Sequence, residues 1–157
     1  MKVGLLSYRS HPYSGGQGIY IKHLSKALKN LGHEVSVLSG PPYPELDAEV
    51  NLIKIPSLGL FESGERLKAF RLRFLWSPID LYEWITVMTG GFPEPYTYGK
   101  RVLKKLKEDN LKLDVLLDNQ SLSSSLLEIQ AHYPLAVTIH HPITKDHKLE
   151  MQNAINW

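Results

Sequence analysis

The sequence predicts a doubly wound α/β domain, a parallel sheet with helices on both faces. Residues 3–39 read strand, glycine-rich turn, helix, strand, and two parallel strands need such a crossover between them. Short apolar runs alternate with helically spaced segments again over residues 98–140. Glycine, proline, histidine and polar amides gather where the predicted strands end.

The elements follow in order. Val3–Ser7 is a compact apolar run, which reads as a buried strand. A polar loop over Tyr8–Ser14 follows it. From Gly18 the spacing turns helical, with Ile21, Leu24, Leu28 and Leu31 on one face and Lys22, Lys26 and Lys29 on the other. Gly32 is placed to end that helix. Glu34–Ser39 alternates and is β-branched, a second strand that Gly40-Pro41-Pro42 stops. Asn51–Pro56 reads as a third strand. Residues 57–96 mix glycine, proline and aromatics, with helical stretches near 63–75 and 78–88. Tyr98–Lys107 is a basic amphipathic helix with Val102, Leu103 and Leu106 inward. Asp114–Leu117 reads as strand, Ser121–Gln130 as helix, Leu135–His140 as strand, and a helix opens at Lys145. In a doubly wound sheet the ligand lies beyond the carboxyl ends of the strands. Tyr8–Gln17, Ser39–Tyr43, Asn119–Ser121 and His140–Thr144 are therefore expected to converge on one rim.

Composition narrows the function. The chain has 157 residues, 43% hydrophobic and 22% charged, enough for one domain with a real core. A net charge of +2 does not fit a strong nucleic-acid footprint. The absence of cysteine excludes disulfides and thiolate metal sites. No carboxylate pair or histidine cluster makes a metal motif, so no metal cofactor is expected. No apolar run is long enough to span a bilayer, which reads as a cytoplasmic protein, at most peripheral to the inner face of the membrane.

Ser14-Gly15-Gly16-Gln17-Gly18 carries the sharpest signal. Ser14 and Gln17 fit a capping box, and the glycines fit a tight turn or close helix packing. The same geometry also makes an anion site, because free amides at a helix N-terminus attract phosphate and a missing Cβ lets it approach. Gly-x-Gly-x-x-Gly and a P-loop lysine are both absent, and Gly40-Pro41-Pro42 stands where a dinucleotide site needs an acidic residue. An oxidoreductase is a poor fit.

The segment GGQGIYIKHLSKALKNLGHEVSVLSG resembles the N-terminal half of family 4 of the retaining glycosyltransferases, which have the GT-B fold. ALKNLGHEV at 27–35, DVLLDNQSL at 114–122 and LAVTIHHPIT at 135–144 are similar to that family's motifs, in order. The resemblance implies a Rossmann-like domain and a nucleotide-sugar donor. It places the backbone amide of Gly16 on the donor diphosphate, with Gly15 and Gln17 shaping the turn. His140 becomes the candidate catalytic residue, beside the transferred sugar. Asn119, Gln120 and His141 become acceptor contacts or supports for His140. A turn residue and a helix cap are the alternative readings of Asn119 and Gln120. Asp146 reads as an acidic residue at a helix start, with a polar contact to the acceptor as the alternative reading.

The resemblance also implies a second domain that holds most of the donor, with an Arg/Lys pair and a Glu-x7-Glu signature. Neither occurs here, so the chain is expected to be the N-terminal, acceptor-side domain of a longer enzyme, inactive alone. One subunit of a split enzyme and a non-catalytic nucleotide or sugar-phosphate binding module are the rivals. The acceptor is a sugar, a lipid-linked or a small molecule. Glu65–Trp76 sets Leu67, Phe70 and Phe74 among four cations. Such a helix either lies on an anionic membrane or packs onto the sheet or the second domain.

Overall fold

Helices cover both faces of the sheet, which is why its central strands are apolar on both sides. The computed structural model describes residues 1–60 and 70–140. The strands are β1 (Lys2–Ser7), β2 (Glu34–Ser39), β3 (Asn51–Lys54), β4 (Val115–Asn119) and β5 (Leu135–Thr138). They form one five-stranded sheet in the order β3-β2-β1-β4-β5, and every pairing is parallel. The helices are α1 (Gln17–Asn30), α2 (Pro78–Met88), α3 (Glu94–Glu108) and α4 (Ser125–Gln130), with a 3-10 turn at Leu72–Trp76. The predicted α/β class therefore stands.

The core lies in two layers. Val3 and Leu5 of β1 and Val35 and Val37 of β2 pack with Ile21, Leu24 and Leu28 of α1. Leu6, Leu38 and Leu116 face the other way, onto Val102, Leu103 and Leu106 of α3 and Leu126 and Ile129 of α4. Chain order reverses between β1 and β4, since β2 and β3 extend one way and β4 and β5 the other. That switch point opens a crevice at the strands' carboxyl ends.

Several boundaries differ from the spacing. Leu31 lies outside the buried stripe of α1, 72% exposed, because the helix ends at Asn30 and Leu31 is its C-cap. Helix α3 begins at Glu94, with proline in its first turn, where a missing N–H costs nothing. Helix α4 begins at Ser125 because the buried Asp118 organises the preceding turn. Its carboxylate accepts from Ser121 N–H (2.8 Å) and Ser121 Oγ (2.5 Å).

The predicted helix at 63–75 lies partly outside the described residues. Within them, Leu72–Trp76 is a 3-10 turn. Phe70 packs on Phe74 and Trp84, so these two phenylalanines face inward. Leu72, Leu75 and Trp76 are exposed beside the exposed Arg71 and Arg73. The helix predicted from Lys145 lies outside the described residues. Among the described residues no helix is long and apolar enough to cross a membrane.

A buried ionic cluster fixes α2 on α3. The guanidinium of Arg101 reaches Glu83 and Asp80, each at 2.5 Å. Glu83 is fully buried and also accepts from Ser57 Oγ and Leu58 N–H. This cluster ties the residues after β3 to the helical layer.

Candidate functional site at the strand ends

Within the described residues, Tyr8–Gln17, Ser39–Tyr43 and Asn119–Ser121 converge with His140, while residues 141–144 of the expected rim lie outside them. Ser10 N–H donates to Pro42 O (3.0 Å), which joins the loop after β1 to the loop after β2. The Tyr98 hydroxyl donates to Leu38 O (2.6 Å) and accepts from Ser7 N–H (2.8 Å), so α3 clamps the ends of β1 and β2. Burial pushes the Tyr98 phenol well above its ordinary pKa, and the nearby Asp118 adds to this. The tyrosine is therefore a fixed neutral hydrogen-bonding group.

The glycine turn opens α1. Gly15 and Gly16 take φ of 79° and 75°, the left-handed region that favours glycine. Gly16 is the N-cap, and no side chain caps the helix. The capping box is thus corrected, since the backbone N–H groups of Tyr13 and Ser14 both donate to His11 Nδ1 (3.1 Å) and the loop is tied by histidine instead. A Cβ on Gly15 or Gly16 would meet nothing within 4 Å among the described residues. Gly18 has the opposite reason to be glycine. Its missing Cβ would lie 2.6 Å from Ser10 O and closer still to His11 O. Of the three glycines, two shape the turn and one lets α1 pack on the loop.

His140 meets this turn from the other side of the switch point. Its Nε2 lies 2.6 Å from Asn119 Oδ1. Its backbone N–H donates to Gln120 Oε1 (2.7 Å). Asn119 and Gln120 are both buried, and Gln120 takes a φ of 60°, strained for a residue with a side chain. Both side chains bond to His140, and the positive φ of Gln120 also turns the chain after β4. The His140 ring packs edge-on against Tyr20, centroids 4.7 Å apart at 79°. Tyr20 N–H donates to Gly16 O (2.8 Å), so one residue touches both halves of the site. Gln17 sits in the first turn of α1 with its N–H on Gly15 O (2.9 Å).

Below this layer lies a polar floor. Asn119 Nδ2 reaches Ser7 Oγ (3.4 Å), which also receives Ser10 Oγ (2.7 Å) and donates to Arg9 O (3.1 Å). Burial raises the pKa of Asp118, and its bonds from Ser121 and Leu122 oppose that rise. The geometry offers a left-handed glycine turn at the N-terminus of α1, with an imidazole held across the crevice from it.

Of the predicted site residues, Gly15, Gly16, Gln17, Asn119, Gln120 and His140 lie together. His141 and Asp146 lie outside the described residues. Tyr20, Ser7 and His11 were not legible as site residues. Ser7 carried one signal, a polar side chain ending an apolar strand. Tyr20 carried another, one helical turn beyond Gly16. Among the described residues no group of three His, Cys, Asp or Glu is placed to hold a metal ion.

Two comparisons bear on this arrangement. Residues 14–157 match the family model described as Glycosyltransferase Family 4. The whole chain is 45% identical over 159 aligned residues to the "MMP alpha-(1->4)-mannosyltransferase" of Mycolicibacterium hassiacum. It spans 39% of that relative's length.

Proposed function

Because the chain belongs to glycosyltransferase family 4, we propose that it is the N-terminal domain of a retaining enzyme that transfers a sugar from a nucleoside-diphosphate donor to an acceptor. By the relative's name, the transferred sugar is mannose and the acceptor a saccharide extended through an α-(1→4) bond. The observation that carries this reading is the meeting of the Gly15-Gly16 turn with His140 at the switch point, joined through Tyr20. A domain outside this chain completes the donor site and supplies cations to the phosphates.

Each group then has a role. The leaving diphosphate gathers negative charge as its bond to the sugar breaks. The N-terminus of α1 carries roughly half a positive charge, and the amides of Gly15 and Gly16 approach that position, the Gln17 amide being spent on Gly15 O. Those amides need no reorganisation, since the left-handed pair and the His11 ties set the turn beforehand. His140 faces the sugar from the end of β5 and fixes its orientation. The acceptor enters from the rim formed by the loops after β1, β2 and β4.

The test uses the whole protein with mannose donors of each common nucleoside diphosphate and an α-(1→4)-linked manno-oligosaccharide. Release of nucleoside diphosphate reports transfer, and NMR of the product reports the new anomeric configuration. An α product from an α donor is expected. Folded, full-length protein that transfers no sugar from any donor would overturn the reading, and a β product would overturn retention. The exposed Leu72, Leu75 and Trp76 beside Arg71 and Arg73 also suit a peripheral contact with anionic lipid. No sedimentation with anionic liposomes would remove that part.

A further inference from the structure

We propose that Ser7 and Asn119 hold the imidazole of His140 in its Nε2–H form, so that Nδ1 meets the ligand as a hydrogen-bond acceptor and selects a sugar hydroxyl. The inference rests on the glycosyl-transfer reading for the identity of the ligand, but its structural half stands on proton counting alone.

The counting starts at a group that cannot change roles. Arg9 O is a carbonyl and only accepts, so the Ser7 hydroxyl must spend its one proton on it (3.1 Å). Ser7 Oγ can then only accept from its other neighbours. Ser10 Oγ donates to it at 2.7 Å. The Asn119 atom that faces it at 3.4 Å must also be a donor, which assigns that atom as Nδ2. A flipped amide would set Oδ1 against an oxygen whose proton points elsewhere. With Nδ2 on Ser7, Oδ1 faces His140 Nε2 at 2.6 Å and needs a proton from it. The neutral ring therefore carries its proton on Nε2, and Nδ1 keeps a bare lone pair.

Two further contacts hold the ring in place. His140 N–H is anchored on Gln120 Oε1 (2.7 Å). The edge of contact with Tyr20, 79° between planes, fixes the ring's rotation. Nδ1 receives no hydrogen bond from the described residues. A lone pair held this way rewards an O–H and penalises a carbonyl or phosphate oxygen, which could only repel it. Ser7 and Asn119 are thus positioning residues: they act on the sugar only through His140.

The experiment is NMR of full-length protein labelled with nitrogen-15 in histidine, the His140 signals being identified by their loss in His140→Gln. The wild type is expected to show a protonated Nε2 and a bare Nδ1, and saturating nucleoside-diphosphate mannose should move the Nδ1 resonance. Asn119→Leu removes the acceptor and Ser7→Ala removes the lock on the amide, so both should give mixed tautomers. Asn119→Asp keeps an oxygen toward Nε2 and should keep its proton there. Turnover of Asn119→Leu should fall about tenfold, the worth of one hydrogen bond, with KM for the saccharide acceptor unchanged. A wild-type His140 protonated on Nδ1, or an even mixture, overturns the proposal whether or not any variant folds. The two readings fail separately. Sugar transfer with mixed tautomers sinks the relay alone, and an Nε2–H tautomer in a protein that transfers no sugar leaves the relay and removes its ligand.

Discussion

Alanine at Gly18 is a larger change than one methyl group implies. Its Cβ would lie 2.6 Å from Ser10 O and closer still to His11 O, and both atoms are backbone. Neither can swing aside as a side chain would. Ser10 is pinned by its N–H on Pro42 O (3.0 Å) and its hydroxyl on Ser7 (2.7 Å), and His11 receives the amides of Tyr13 and Ser14. The loop or α1 must therefore retreat by roughly 1 Å, and such overpacking costs about 1–3 kcal/mol. At about 2–4 °C per kcal/mol for a domain of this size, melting should fall by about 2–12 °C. The same displacement moves the Gly15-Gly16 turn, and an error of about 1 Å at a reacting centre can cost on the order of 100-fold in rate. Differential scanning calorimetry and steady-state turnover of Gly18→Ala in the full-length protein check both numbers. Gly16→Ala is the comparison for melting, since its Cβ meets nothing within 4 Å among the described residues and left-handed strain of about 1–2 kcal/mol opposes it. A Gly18→Ala protein that melts with the wild type and turns over normally would refute the close-packing argument.

Three more perturbations have defined outcomes. Tyr98→Phe removes the hydroxyl between Leu38 O and Ser7 N–H. Leaving that buried amide without a partner should cost about 1–3 kcal/mol in urea unfolding. Arg101→Met leaves the buried Glu83 carboxylate without its cation and should cost about 3–5 kcal/mol, while adding Glu83→Leu should recover only part of it, because Ser57 Oγ and Leu58 N–H then lose their acceptor. Burial holds the Asp118 carboxyl above its ordinary 3.8, so the folded state binds more protons than the unfolded state between those two values. The contribution of Asp118 to stability is then greatest at acid pH and falls as pH rises through that window, and Asp118→Asn should flatten the slope in denaturant titrations.

Elements set by local pattern were legible residue by residue. Glu34–Ser39 has the bounds its β-branched alternation predicts, because neighbours along the chain decide it. The start of α4 was not, since the buried Asp118 competes for the backbone of residues 121 and 122, and burial is not written in local spacing. The candidate site divides in the same way. Gly15, Gly16 and His140 stand out by residue type at strand ends. The bonds of Asn119 and Gln120 to His140 depend on β4 lying beside β5, which topology decides. Gly18 looks like its neighbours in sequence, and only the position of the Ser10 and His11 carbonyls gives it a separate reason.

The hydrogen bond between Ser7 and Asn119 joins residues 112 positions apart. That separation has a consequence for synthesis. As the chain leaves the ribosome, β1, α1 and β2 can pair early, for they are neighbours in sequence. The crevice gains its floor only when β4 inserts beside β1, and its wall only when β5 follows. Closing so long a loop is among the slower steps available to a parallel sheet. A nascent chain with its glycine turn already folded therefore still lacks the imidazole across from it. The order of assembly withholds the paired glycine turn and imidazole until β5 is in place.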